Sequence, residues 1–465
     1  MGYAACRGLG ACCPPSRSSS WHGAGRRGQA LVLLGVVRLL LAGQRGNLLA
    51  VAEEAQRLQT LAEARVGLSD ELRALALIIL GDTEIWGARL DQAGPHLEQA
   101  IALARRIGRP YLEFIALAHQ SAGEVTRSLP RAAELSRRAI DLAERHGWTD
   151  ETAAGIAYMA LGSVLAWQGR LGEAEAWLQR AEGTVRAEAD PAVALAVHHI
   201  RAQLELARGR DADALAAFRG AERLAGHLAA PSALATPMRA LLLLALVRLG
   251  ETERAEQVVD GLGEDERDRG EIGVATAMLR LAQDDPHAAT AALAPVLDES
   301  APVGWRSWLV EAFLLEAIAR DALGDPAAAG RALEQALDLA EPEGALLWFL
   351  LHPAPGLLER HARQGTAHAA LIAEILGLLS GNAPFVRAGG PRALLDPLSK
   401  SELRVLRYLP THLSAPEIAG ELSVSTSTVK THLRNLYAKL GVHSRAEAVE
   451  SARALGLLAP SARSR

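Results

Sequence analysis

The chain has 465 residues, of which 49% are hydrophobic and 22% charged, and its formal net charge is −5. These proportions exclude a globally disordered chain, and the length exceeds what one compact core accommodates. Aromatic residues make up only 4% of this alanine- and leucine-rich sequence, which favours helix over strand. We therefore predict an all-α protein built from several domains or from a repeat array.

The first 27 residues show no periodicity and are rich in Gly, Ser, Arg, Pro and Cys, so we interpret residues 1–27 as a disordered or mis-called tail. All three cysteines lie in this tail, which argues against a disulfide framework or a zinc site. The apolar run from Ala30 to Ala42 is broken by Arg38 and is too short for a bilayer span. We predict a cytoplasmic protein that contacts no membrane.

Consecutive amphipathic helices with an internal repeat of about 40 residues are predicted for residues 28–380. Each clear copy has, in its second helix, an alanine, a large apolar residue and another alanine at i, i+4 and i+7, which places them on one helix face. In the best copies a Leu–Gly pair lies in the first helix. The copies are Leu161–Gly162 with Ala174, Leu178 and Ala181; Leu80–Gly81 with Ala93, Leu97 and Ala100; Ala214, Phe218 and Ala221; and Ala329, Leu333 and Ala336.

A glycine occupies the turn five residues before the first alanine in four copies, at Gly169, Gly209, Gly250 and Gly324. The small residues allow the two helices of a hairpin to approach closely, and we expect the large apolar residue to pack into the next hairpin. No hairpin buries its apolar face alone, so we predict an α-solenoid of about eight tetratricopeptide-like hairpins, most weakly marked near residues 270–300.

Six glycines and prolines interrupt residues 381–397, which are therefore predicted to be a linker. Residues 398–460 then contain four predicted short helices, the second and third separated by a short connection, as in a helix-turn-helix that enters the DNA major groove. A serine marks each helix start, and three of these serines are followed by a glutamate that can complete a capping box. The marks are Ser399 with Glu402, Ser414 with Glu417, Ser425 alone, and Ser444 with Glu447.

The third of these helices has two different faces. Its apolar stripe, which must face a core, consists of Val429, Leu433, Leu436 and Leu440. The opposite face offers cations and hydroxyl groups suited to phosphates and base edges, from Ser427, Lys430, Thr431 and Arg434. Residues 396–465 carry ten Lys and Arg against six Asp and Glu, whereas the rest of the chain is acidic. This asymmetry is expected when only the C-terminal module contacts nucleic acid.

This segment resembles the DNA-binding domain of LuxR-type bacterial transcription regulators in the runs LSKSELRVL, EIAGELSVS, TVKTHL and KLGVHSR. The resemblance implies that TVKTHL lies in the recognition helix and that a homodimer binds double-stranded DNA. The resemblance implies that Lys430, Thr431 and Arg434 lie where the family contacts DNA, and we also expect contacts from Ser427, Thr428 and Lys439. The implied dimerisation residues of the last helix are Ala446, Val449 and Ala452. Ser399–Lys400–Ser401 departs from the family's usual Thr–x–Arg at the start of the first helix.

A helical superhelix followed by a LuxR-type module resembles the large ATP-dependent regulators of the MalT-like class, in which an ATPase domain precedes the superhelical sensor. A phosphate-binding loop needs a lysine after its glycines, and the chain has no lysine before Lys400. We therefore expect the sensor and output parts of such a regulator, without a nucleotide or any other cofactor, and we do not expect an enzyme.

The leading interpretation is a sequence-specific DNA-binding transcriptional regulator whose solenoid senses a protein or small-molecule effector. Two alternatives remain: an interaction scaffold with a residual DNA-binding module, and the C-terminal part of an ATP-dependent MalT-like regulator. No metal site is predicted, because His198 and His199 are adjacent on a helix and point about 100° apart. The solenoid tryptophans are expected to fill gaps between hairpins, with a minority on the concave face.

Overall fold

A computed structural model describes residues 69–87, 89–187, 190–225, 234–380, 400–406, 408–410, 413–422 and 424–440, with a few further positions within 34–57 and 445–452. In this part of the chain the regular secondary structure is entirely helical, which confirms the predicted all-α class. The chain divides into two units, residues 1–384 and residues 385–465. Each unit has a hydrophobic core of its own.

The first unit consists of helix hairpins packed in series, as predicted. The pairs are α1/α2, α3/α4, α5/α6, α7/α8, α9/α10, α12/α13 and α14/α15, with a shorter pair α17/α18 at the end. The helices are α1 (Asp70–Trp86), α2 (Leu90–Arg106), α3 (Pro110–Glu124), α4 (Leu129–His146), α5 (Thr152–Trp167), α6 (Leu171–Thr184), α7 (Pro191–Ala207), α8 (Asp211–Ala225), α9 (Ala235–Arg248), α10 (Thr252–Asp260), α11 (Glu264–Arg267), α12 (Gly270–Ala282), α13 (Pro286–Leu297), α14 (Ser307–Ala322), α15 (Pro326–Ala340), α16 (Leu347–Leu351), α17 (Pro355–Gln364) and α18 (Ala369–Leu379).

The turns inside the hairpins depend on glycine. Gly169, Gly209, Gly250 and Gly324 have φ between 70° and 77°, a left-handed conformation that glycine adopts without a steric penalty, so the predicted role of these four residues is confirmed. In the α12/α13 hairpin the same turn contains Asp284, with φ 60°, five residues before the buried Ala289. This hairpin was weakly marked in the sequence because aspartate replaces the glycine.

Close approach of the two helices of a hairpin depends on the small residues of the repeat. A Cβ atom added to Gly81 would lie 2.5 Å from Cγ of Leu97, so α1 and α2 pack in contact through this glycine. At Gly162 the added atom would lie 3.4 Å from the carbonyl oxygen of Ala174. Leu97, the large apolar residue of its copy, packs on the glycine of its own hairpin.

Several hairpin helices begin with an Asp–Pro pair. Proline at the first helical position lacks only an N–H that the helix would not use, and the preceding aspartate can cap the helix. The Asp285 carboxylate accepts the N–H of Ala288 at 2.9 Å, and the Asp325 carboxylate accepts the N–H of Ala328 at 3.0 Å. Asp190 caps α7 in the same way, through the N–H of Val193 at 3.3 Å.

Late repeats of the first unit contact early ones. The N–H of Leu346 donates to the carbonyl oxygen of Trp167 at 2.7 Å. The N–H of Leu129, the first residue of α4, donates to the carboxylate of Glu343 at 2.7 Å, although 214 residues separate them in the sequence. We name this pair of hydrogen bonds the clasp. It brings the segment between α15 and α16 against α4 and α5.

The second unit contains α19 (Lys400–Leu406), α20 (Ala415–Leu422) and α21 (Thr426–Leu440). The fourth predicted helix lies mostly outside the described residues. Of this helix the structure describes residues 445, 448, 449 and 452, which are all helical. The predicted tail 1–27 and linker 381–397 lie outside them entirely. No helix within the described ranges is long and apolar enough to span a membrane.

Candidate DNA-binding surface

A serine lies at the start of each helix of the helix-turn-helix, Ser414 before α20 and Ser425 before α21. The backbone N–H and the hydroxyl of Ser414 both donate to Oε2 of Glu417, at 2.7 and 2.6 Å. The predicted return contact of the capping box is therefore confirmed, although the serine hydroxyl binds the glutamate instead of a backbone amide. These hydrogen bonds from Ser414 hold the pKa of Glu417 below its usual value. Ser425 accepts the N–H of Thr428 at 3.1 Å and so caps α21, as predicted.

The apolar stripe of α21 faces the core of the second unit. Val429 and Leu436 are fully buried, and Leu433 is half-buried against the same core. Val429 packs with Val405 of α19 and Ile418 of α20. This packing fixes the rotation of α21 about its axis, and with it the direction in which the polar face points.

The polar face of α21 is exposed where its side chains are described. Lys430 and Thr431 are exposed, and they lie about 100° and 200° around the helix from the buried Val429. Thr428 is half-buried, with its hydroxyl 2.7 Å from that of Ser425, so it belongs to the cap. The other three predicted contacts lie in α21, with side chains outside the described part: Ser427, Arg434 and Lys439.

Arg445 organises the segment before the helix-turn-helix, and sequence reasoning assigned it no role. Its guanidinium donates to the backbone carbonyl oxygens of Tyr408 at 3.1 Å, Leu409 at 3.0 Å and Leu413 at 2.5 Å. These carbonyl groups belong to the segment that connects α19 with the Ser414 cap of α20. Because its partners are backbone atoms, no residue type at their positions could have indicated the contact.

The predicted dimerisation residues are partly described. Val449 is 9% exposed and Ala452 is fully buried, whereas Ala446 lies outside the described residues. The role of these three residues in dimerisation stays a prediction.

The fold and this surface define a class of protein in which a helical-repeat region precedes a helix-turn-helix unit. The family model of the MalT-like TPR region matches residues 34–360, most of the chain, and the chain belongs to this family. The model of bacterial regulatory proteins of the luxR family matches residues 396–452. Both resemblances seen in the sequence are confirmed.

The HTH-type transcriptional regulator MalT of Serratia proteamaculans (strain 568) is 50% identical to this chain over 60 residues in the helix-turn-helix region. The match covers 13% of this chain and 7% of that regulator. Among solved structures, a Rap protein complexed with Competence and Sporulation Factor is 12% identical, with 75% of this chain and 90% of that chain covered and a TM-score of 0.43. The apo form of the quorum sensor NprR from B. thuringiensis is 14% identical, with 72% and 92% covered and a TM-score of 0.44.

Proposed function

We propose that the protein is a transcriptional regulator that binds specific sequences of double-stranded DNA through α21. The proposal is carried by the two opposite faces of this helix, with Val429 and Leu436 buried and Lys430 and Thr431 exposed. A helix that is capped at its start and anchored in a core presents such side chains at fixed positions to phosphates and base edges. The similarity to the MalT regulator in this region supports the proposal.

In this proposal residues 398–460 bind DNA, residues 28–380 sense a protein or small-molecule effector, and residues 381–397 link the two. Ser427, Arg434 and Lys439 extend the contact surface along α21. Two copies bind two half-sites about one helical turn apart. The protein acts in the cytoplasm, where the DNA is, and catalyses no reaction.

Fluorescence anisotropy of the full-length chain tests the proposal, on duplexes enriched by selection from a random pool and over a series of salt concentrations. Lys430→Ala is expected to weaken binding by about 1–3 kcal/mol if Lys430 contacts a base. If Lys430 contacts a phosphate, the loss of affinity is similar for all DNA sequences. The slope of log affinity against log salt concentration then becomes shallower by about one.

Arg219→Ala is the matched control, because Arg219 is an exposed arginine on α8 and its removal changes the net charge equally. This control variant is expected to bind like the unmodified chain. Absence of DNA binding by the unmodified chain overturns the proposed function. Equal binding by the Lys430→Ala variant and the unmodified chain overturns the assignment of the binding face.

A further inference from the structure

The interior of the first unit contains a cavity of about 320 Å³. Its walls come from the early helices α1, α3 and α5, from α7, and from the late segment formed by α14, α15 and the residues after them. The clasp between Glu343 and Leu129 lies in the same wall, since both residues line the cavity. Early and late repeats therefore enclose one space, and anything bound there contacts both.

The cavity is lined mainly by aromatic and aliphatic side chains. Trp86 of α1, Trp167 of α5 and Trp305, which lies just before α14, contribute rings, and Met159 and Ile200 add aliphatic surface. Trp86 and Trp167 are at most 8% exposed. The volume is at the lower end of the range for small-molecule sites, which are typically apolar with a few polar groups.

Charged lining residues are located where the cavity reaches the surface. Arg127, Arg306 and Asp338 are exposed and mark this opening. The half-buried carboxylate of Glu343 already accepts the N–H of Leu129. The inner part of the lining carries no charge among the described residues. An ionised ligand group placed there would lose its hydration without gaining a counter-charge, which is strongly unfavourable.

A small polar cluster lies in the inner wall. It consists of Ser163 on α5 and of His199 and Gln203 on α7, each at most 4% exposed. Nδ1 of His199 is buried and forms no hydrogen bond with a described atom. Burial lowers the pKa of His199 to about 4, so its imidazole is neutral at physiological pH and offers one N–H donor and one acceptor nitrogen. Its ring lies edge-on to Trp305, with centroids 6.3 Å apart.

We propose that this cavity binds an uncharged, planar aromatic or heteroaromatic molecule of about two fused rings, whose single polar group pairs with His199. The aromatic walls fit flat rings, and the imidazole provides one directional contact. The proposal rests on the proposed function in one respect, because it assigns the chemical class of the effector that the solenoid senses. Because early and late helices both contact the ligand, binding stabilises the closed arrangement of the repeats.

Isothermal titration calorimetry of the full-length chain without DNA tests this proposal with three probes. Indole is neutral and has one N–H, naphthalene has similar rings without a polar group, and indole-3-carboxylate adds a negative charge. Indole is expected to bind at one site, with naphthalene about tenfold weaker for lack of a hydrogen bond. Indole-3-carboxylate is expected to bind more than about tenfold more weakly than indole, because its charge would be desolvated.

Two substitutions locate the site. Ala196→Phe fills the cavity, which Ala196 lines, and is expected to abolish binding, whereas Ala216→Phe on the exposed face of α8 is the matched control and is expected to bind normally. His199→Leu removes the hydrogen-bonding group and is expected to equalise the affinities for indole and naphthalene. This second variant keeps the test decisive if Ala196→Phe does not fold, which circular dichroism shows.

Two results overturn the proposal: no saturable binding of either indole or naphthalene, or indole binding that neither Ala196→Phe nor His199→Leu changes. DNA binding is measured separately, by anisotropy without any probe. A chain that binds DNA but neither neutral probe overturns the cavity assignment alone. A chain that binds indole in the expected pattern but no DNA supports the cavity and overturns the proposed function.

Discussion

The buried side chain of His199 makes the stability of the folded chain depend on pH. Burial depresses its pKa from 6.5 to about 4 in the folded chain. Between these two values the unfolded chain binds a proton that the folded chain does not, so the free energy of unfolding decreases as the pH falls. His199 therefore does not reduce the free energy of unfolding above pH 6.5. Below that value it reduces the free energy of unfolding progressively as the pH falls towards 4.

His199→Leu is therefore expected to reduce the stability lost between pH 7 and pH 4.5 by about 2 kcal/mol. Urea unfolding of the unmodified and variant chains at both pH values measures the difference. His287→Leu is the matched control, because His287 is exposed on α13. Equal losses in the His199 variant and the unmodified chain would show that His199 is not held neutral by burial.

The hairpin is the element whose geometry the sequence specifies best. Its helices follow from apolar periodicity and Asp–Pro starts, and its turn requires a left-handed residue. At Gly250 the backbone conformation is the only obstacle to a larger residue among the described atoms, because φ is 77° and none of these atoms lies within 4 Å of an added Cβ. A substitution there tests backbone strain without a steric clash.

Gly250→Ala is expected to destabilise the first unit by about 1–2 kcal/mol, the cost of a left-handed conformation for a residue with a Cβ atom. Gly172→Ala is the control, since Gly172 lies in α6 with equally open surroundings. Alanine is the better helix former, so this control is expected to stabilise by up to about 1 kcal/mol. Thermal unfolding compares the two, and a shift of the same sign would argue against the strain.

At the scale of the whole molecule, the hydrogen bond between Glu343 and Leu129 joins two repeats that are far apart in the sequence. Ser128 precedes α4 and makes no capping hydrogen bond with its side chain, so the carboxylate of Glu343 satisfies the first amide of that helix. The sequence predicted the hairpins but gave no indication of this contact, because residues so far apart share no local pattern.

Glu343→Ala is expected to remove the cap of α4 and to accelerate hydrogen exchange of the Leu129 amide about tenfold, equivalent to one hydrogen bond of about 1.4 kcal/mol. Native-state hydrogen exchange measured by NMR or mass spectrometry follows this amide. Glu359→Ala, at an exposed position of α17, is the control. Unchanged exchange at Leu129 in the Glu343 variant would show that this carboxylate does not protect the amide.

The parts of the fold and surface that could be predicted depend on residues close together in the sequence, and the parts that could not depend on residues far apart in it. Helix pairs, turn glycines, the Ser425 cap and the buried stripe of α21 follow from residue types at fixed spacings. The Asp284 turn was obscured by its residue type. The cavity and the contacts of Arg445 depend on atoms brought together by the fold, and no spacing along the chain indicates them.

The length of chain between the two ends of the clasp also affects how the protein is made. A ribosome adds about 5–20 residues per second, so α4 waits roughly 10–40 s for the residue that caps it, which follows 214 positions later. During this interval the tryptophans of α1 and α5 that later line the cavity lack the opposite wall and face water. The nascent chain, more than the finished protein, is therefore the form exposed to aggregation and to capture by chaperones.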